Sequence, residues 1–147
     1  MFAYSLLYIA ILIIDRLTKW WAINNCIESW HINNYFSCEL ALNRGISFNL
    51  FSFADTWCFS CVTLLVIGIT GIVALHAWQK SKDNQSIYAE IIVLAGATSN
   101  IIDRFIYGGV VDFIVIAYKS YAFPTFNIAD IAIVLGVALM VYEMYKQ

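Results

Sequence analysis

"WCFSCVTLLVIGITGIVALHAW", residues Trp57–Trp78, runs without one formally charged side chain. A helix needs roughly 20 residues to cross the hydrocarbon core of a bilayer, and this stretch is that long. It predicts a membrane span and so sets the class of the whole chain. The rest of the composition agrees. Of 147 residues, 62% are hydrophobic and 12% charged, and the mean hydropathy is +0.76. Soluble domains are about 45–50% apolar and about 25% charged. The formal net charge of −2 comes with no basic run, which gives no footing for nucleic acid. One proline, Pro124, and no biased segment argue against a disordered linker. No internal repeat is visible.

Three further apolar stretches, about 2–23, 87–106 and 128–145, make four expected spans in a single domain, 1–147. The first has no positive leader and no small-residue cleavage site, so it reads as a retained span. An even number of spans puts both termini on one side. Lys80, Lys82 and Lys146 place that side in the cytoplasm by the positive-inside rule, although Arg44 and Lys119 then lie outside. With this topology the end of span one, the end of span three and the start of span four share the outer face. Asp15, Asn100, Asp103, Arg104 and Asp130 belong to those ends, so the polar residues converge on one surface.

The segments 24–55 and 108–125 then lie outside. In the first, "WHINNYFSCELAL" and "NRGISFNLFSF" mix aromatic and β-branched residues with Asn and Gly, which suggests short strands and turns. Trp30, Tyr35, Phe36, Phe48, Phe51 and Phe53 suit the headgroup region. The second reads as a short outer helix or loop, with Gly108-Gly109 ending the third helix. The expected fold is therefore a membrane all-α protein of four transmembrane helices, with a small extracytoplasmic β-cradle and this outer segment.

Asn100, Asp103 and Arg104 stand at i, i+3 and i+4, and so on one helix face. Asn127 and Asp130 share another, and Asp15 and Lys19 a third. An acid at membrane depth is costly and marks a candidate site. Asp112 follows span three and Asp130 opens span four, so helix ends on one surface would bring the two together. Two close carboxylates cannot both ionise cheaply, so one keeps a proton while the other acts as base. Arg104, Asn100 and Asn127 would orient and polarise the pair. Blander roles compete: Asp130 as a helix cap, Asp103–Arg104 as a local ion pair, and Lys19 snorkelling to the interface. Two other chemistries compete. A thiol oxidoreductase would use Cys58 and Cys61 with Cys26 and Cys38, since disulfides are allowed outside the cytoplasm. A proton-relay transport subunit would need polar residues continuing to the inner face, and spans two and four show few. His31 and His76 lie far apart, with no ligand spacing for a metal. His76 reads as interfacial.

Five stretches in order resemble the motifs of the bacterial lipoprotein signal peptidases, the signal peptidase II family. They are "DRLTKW" (Asp15–Trp20), "NRGISF" (Asn43–Phe48), "GATSNIIDR" (Gly96–Arg104), "GGVVDF" (Gly108–Phe113) and "FPTFNIAD" (Phe123–Asp130). The resemblance covers the whole chain. It implies an intramembrane aspartic endopeptidase of the bacterial cytoplasmic (inner) membrane, with its site near the outer face. Such an enzyme cleaves a prolipoprotein just before a diacylglyceryl-modified cysteine. The resemblance carries the catalytic pair onto Asp112 and Asp130, and supporting or substrate-binding roles onto Asp15, Asn43, Asn100, Arg104 and Asn127. It implies membrane lipid around the chain, a monomer, no cofactor, no metal, and inhibition by the cyclic peptide globomycin. Ile46 and Thr98 depart from the residues more usual in the family at those positions.

Overall fold

A computed structural model describes residues 2–26, 28–45, 56–119 and 121–146. The elements run α1 (Phe2–Asn25), β1 (Trp30–His31), β2 (Phe36–Asn43), α2 (Thr56–Lys82), α3 (Tyr88–Tyr107), β3 (Val110–Tyr118), β4 (Tyr121–Ala122) and α4 (Ile128–Tyr145). The expected helices are in place. Ile46, Phe48, Phe51, Phe53 and Asp55, with the latter part of the "NRGISF" stretch, lie outside the described residues.

By length and composition α2 and α4 are apolar enough to cross a membrane. Only 11% of the apolar window of α2, and 17% of that of α4, is buried inside the protein. A core helix of a soluble protein would be mostly covered. Here Leu64, Leu65, Ile69, Ile72 and Leu75 point outward from α2 with no protein over them, as they would toward lipid. α1 and α3 have comparable lengths, but their charged residues Asp15, Lys19, Glu90, Asp103 and Arg104 turn inward and are buried.

α3 is the hub, packing against α1, α2 and α4. Its tightest neighbour is α4, and two glycines allow the approach. A Cβ on Gly96 would sit 2.5 Å from the Ala129 carbonyl oxygen, and one on Gly136 would sit 2.9 Å from that of Ala89. Gly108 ends α3 at φ 69°, the left-handed region that glycine enters without a steric cost.

The segment after α3 corrects the expected outer helix or loop. It is the long strand β3, and the four strands form one antiparallel sheet in the order β1-β2-β3-β4. The physical reason lies in "VVDFIVIAY": β-branched and aromatic side chains pack well on a pleated surface. β2 pairs with β3 through Ala41↔Asp112 and Asn43↔Val110, with a bulge between Cys38 and Ala41. A bridge, Ile114↔Phe126, then ties β3 to the residues just before α4. Phe126 N donates to Ile114 O at 3.1 Å, and Ile114 N donates back at 2.9 Å. Cys26 and Cys38 form a disulfide joining the end of α1 to β2. It is buried beside Ala22 and Phe113.

Candidate active site

The sheet end of the bundle gathers Asp112 from β3, Asp130 from the first turn of α4, Asn43 from β2, Asn100 from α3 and Asn127 from the N-cap of α4. Asp112 is 1% exposed. Its Oδ1 accepts from Asn127 Nδ2 at 2.6 Å and its Oδ2 from Asn43 Nδ2 at 3.0 Å. Asp130 Oδ1 accepts from Asn100 Nδ2 at 2.8 Å, and its Oδ2 from the Asn127 backbone N–H at 3.3 Å. Asn127 thus touches both acids. Its Oδ1 also accepts from Asp130 N at 2.9 Å, which completes a capping box. Asp130 therefore caps its helix and faces Asp112 through the same asparagine. One geometry serves both readings of this residue.

Asp112 comes from a strand and not from a helix end, which corrects that part of the expectation. The β3–Phe126 bridge is what delivers it: backbone pairing two residues beyond Asp112 sets Asn127 against its carboxylate. Burial pushes the Asp112 carboxyl up to about 7, and the charge of Asp130 pushes the same way. The amide donors of Asn43 and Asn127 oppose this only in part.

Behind the pair lies a second layer. Lys19 is not snorkelling. It is fully buried, with Nζ 2.7 Å from Asp15 Oδ2, 2.7 Å from Asp103 Oδ2 and 2.8 Å from Asn100 Oδ1. The expectation failed because two acids and an amide were available inside the bundle, so the ammonium had no need of water. Asp103 does not pair with Arg104 either. It takes Arg16 and Lys19 as its cations, and its Oδ2 accepts from Val111 N at 3.2 Å. Residues 103 and 104 flank the line of Asn100 on either side, about 100° apart, so one turns to α1 and the other to Gly45. Asp15 Oδ1 accepts from Ala129 N at 2.7 Å, and its Oδ2 takes Ser99 Oγ at 2.6 Å. It therefore anchors the first turn of α4.

Arg104 was expected to polarise the acids. It makes no ion pair with either acid at contact distance among the described residues, though both charges act on it. It donates from Nη2 to Gly45 O at 2.6 Å, while its Nε and Nη1 are buried without a hydrogen-bond partner among the described residues. Its guanidinium lies 5.7 Å from the Phe59 ring centroid, with that of Arg44 at 5.1 Å. A cavity of about 80 Å³, lined by Asn43, Asn100, Arg104, Val110 and Asp130 among others, opens between these groups. Arg104 forms part of its wall. Thr98 accepts from Tyr8 Oη at 2.9 Å and so joins α3 to α1. Sequence reasoning named Asp15, Asn43, Asn100, Arg104, Asn127 and both acids, and the fold gathers all of them at this end. It missed the buried role of Lys19 and the parts of Ser99 and Asp103. Only the i, i+4 spacing of Asp15 and Lys19 hinted at the first.

Elsewhere, Cys58 and Cys61 are free thiols, and the sealed Cys26–Cys38 bridge offers an attacking thiolate little access. Among the described residues no group of three His, Cys, Asp or Glu side chains is placed to hold a metal ion.

The comparisons with known proteins bear on the same residues. A family described as "Signal peptidase (SPase) II" matches residues 7–146. A protein named "Lipoprotein signal peptidase" from Pseudoalteromonas atlantica is 31% identical over 145 residues, covering 95% of this chain and 87% of that protein. One of the same name from Dichelobacter nodosus is 35% identical over 157 residues, covering 99% and 96%. Two solved structures, both described as bacterial membrane enzymes, superpose with TM-scores of 0.80 and 0.77 at 27% and 26% identity. The alignments cover 99% and 100% of this chain, and 89% and 95% of those chains. The family match thus takes in Asp15 at one end and α4 at the other, with every polar group of the site between, and the chain belongs to the signal peptidase II family.

Proposed function

We propose that this protein is an aspartic endopeptidase that removes the signal peptide from diacylglyceryl-modified prolipoproteins, cleaving just before the lipidated cysteine. The observation that carries the reading is the pairing of Asp112 and Asp130 through Asn127, each acid held by uncharged donors. No cation quenches them at contact distance among the described residues. A pair of this kind shares a proton near neutral pH. The ionised member takes a proton from water as that water attacks the scissile carbonyl. The protonated member gives its proton to the carbonyl oxygen, and the tetrahedral intermediate then collapses with protonation of the leaving amine. Asn43, Asn100 and Asn127 hold the carboxylates, Asp15 holds the start of α4, and the bare Arg104 nitrogens suit a substrate carbonyl.

In this reading the chain is one domain, 1–147, and all four helices cross the bacterial cytoplasmic membrane with both termini inside. The sheet lies on the outer face, where the lipid anchor of the substrate also sits. The substrate therefore enters sideways, between helices and beneath the sheet. Membrane lipid surrounds a monomer, and globomycin competes for the same groove. The test is incubation of the purified protein with a diacylglyceryl-modified prolipoprotein, with and without globomycin. Cleavage before the modified cysteine that globomycin blocks is the expected result. An intact substrate under those conditions refutes the reading.

A further inference from the structure

Lys19 has three N–H donors and no acceptor, and all three are taken: by Asp15 Oδ2, Asp103 Oδ2 and Asn100 Oδ1. A carboxamide has two unlike ends. Because the ammonium can only donate, the oxygen of Asn100 must face it. The NH2 of Asn100 is then turned toward Asp130, where it donates to Oδ1 at 2.8 Å. Asn127 Nδ2, at 3.3 Å from Asn100 Oδ1, favours the same orientation.

We propose that Lys19 is a positioning residue of the cleavage reaction, which orients the Asn100 carboxamide and so reserves Asp130 Oδ1 as a hydrogen-bond acceptor. This rests on the peptidase reading and adds a direction to it. Asp130 Oδ1 is held by a short side-chain donor, while Oδ2 meets only a backbone N–H at 3.3 Å. The proton shared with Asp112, and the attacking water, are therefore steered to Oδ2. Without Lys19 only the longer contact from Asn127 Nδ2 opposes a turnover of the amide. Its oxygen would then face Oδ1, and that contact is favourable only with a proton held between the two, which idles the base. The charged groups packed around this layer are Asp15 and Arg16 on α1, Asp103 and Arg104 on α3, Asp112 on β3 and Asp130 on α4. Of these, Asp15 and Asp103 contact Lys19 directly.

The test replaces Lys19 by methionine, which keeps its length and removes its donors. Lys19→Met should lower kcat by about 10²-fold with little change in KM. It should also move the acid limb of the pH–rate profile to higher pH. If the loss of the shared cation from Asp15 and Asp103 prevents folding, Lys19→Met/Asp103→Asn removes one of the two charges and carries the same test. A readout independent of cleavage is the Asn100 carboxamide resonance under asparagine-selective 15N labelling. It should shift in Lys19→Met much as it does in Asp130→Asn, where the acceptor itself is altered. A folded Lys19→Met protein with an unmoved amide resonance and an unmoved pH profile overturns the proposal. So does a loss of kcat that merely follows the fraction of folded protein. If wild type and Asp112→Asn do not differ in cleavage, the peptidase reading fails, and the amide resonance still decides whether Lys19 orients Asn100.

Discussion

At the sheet end of the bundle, Asp112 and Asp130 accept hydrogen bonds from three asparagines and a backbone N–H. At the opposite end, Glu90 is also fully buried, but its Oε1 lies 2.8 Å from Lys80 Nζ and 3.1 Å from His76 Nδ1. Lys80 reaches on to Glu143 at 2.7 Å. These contacts join the end of α2, the start of α3 and the end of α4. Glu90 meets cations directly; Asp112 and Asp130 meet amides, while Asp15 and Asp103 behind them take Lys19 and Arg16. A direct cation neutralises a carboxylate and fastens helices together. An amide fixes the carboxylate's position and leaves most of its charge unanswered. The cation Lys19 is present at the sheet end too, but one layer back, where it reaches Asp130 only through Asn100. On the peptidase reading, that single intervening side chain separates the acids proposed to react from those that fasten helices.

The contrast is broken most severely by removing a reactive carboxylate. Asp112→Asn and Asp130→Asn should each lower cleavage by about 10³-fold or more in protein that still folds. The double variant should be no worse than either, because the two act as one unit. Substantial turnover in either single variant would show that the two ends do not differ in this way. Gly96→Val attacks the same site without touching a polar group. Its side chain would collide with the Ala129 carbonyl and push the start of α4, with Asp130 and Asn127, out of register. Cleavage should fall by about 10²-fold, as expected for a misplacement of about 1 Å. A fully active Gly96→Val enzyme would mean that the α3–α4 contact is not what sets the site.

The pH dependence sharpens the comparison. In the unfolded chain an aspartate titrates near 3.9, whereas the buried Asp112 carboxyl is raised to about 7. The folded state thus holds this proton more tightly. The stability it contributes is fully present below about pH 4 and is lost as pH rises to about 7. Measured in detergent, the melting temperature of wild type should fall over that window relative to Asp112→Asn, so the variant gains on wild type between about pH 4 and about pH 7. Parallel curves would place the Asp112 carboxyl at an ordinary value. Activity should pass through an optimum as the pair gains or loses its shared proton.

At the other end, Glu90→Gln removes a charge that Lys80 and His76 share. Stability should drop by about 1–3 kcal/mol, while turnover per folded molecule stays at the wild-type level. A specific loss of turnover would mean that the two ends are coupled. The smallest effect is expected from Cys58→Ala/Cys61→Ala. These free thiols belong to neither cluster, and both melting temperature and cleavage should be near wild type. Loss of cleavage there would revive thiol chemistry.

The helices were readable because lipid-facing runs need no partner to declare themselves. Trp57–Trp78 is apolar all round and marks a span on its own. α2 runs on to Lys82 because the polar "QKSK" after the span is good helix-forming sequence. The strand β3 was less legible. "VVDFIVIAY" follows a helix and a double glycine, and its partner β2 lies far back in the chain. The acids and asparagines were legible as residue types at the right ends of the right helices. Their wiring was not. Whether Lys19 faces water or Asp103 depends on how α1 meets α3, and no spacing within α1 encodes that. Gly96 likewise shows its purpose only when Ala129 is seen 33 positions later (129 − 96).

The Ile114↔Phe126 bridge has a consequence for biosynthesis. Asp112 is fixed relative to Asp130 by the chain immediately before α4, and α4 is also anchored by Asp15 and by the glycine contact with α3. On a ribosome, α1, α2 and α3 emerge first, and they carry neither of the two acids. Asp112 follows on β3, and Asp130 arrives with the last helix. On the peptidase reading, the nascent protein is therefore inert while it is being inserted, and activity is switched on by the completion of its own topology.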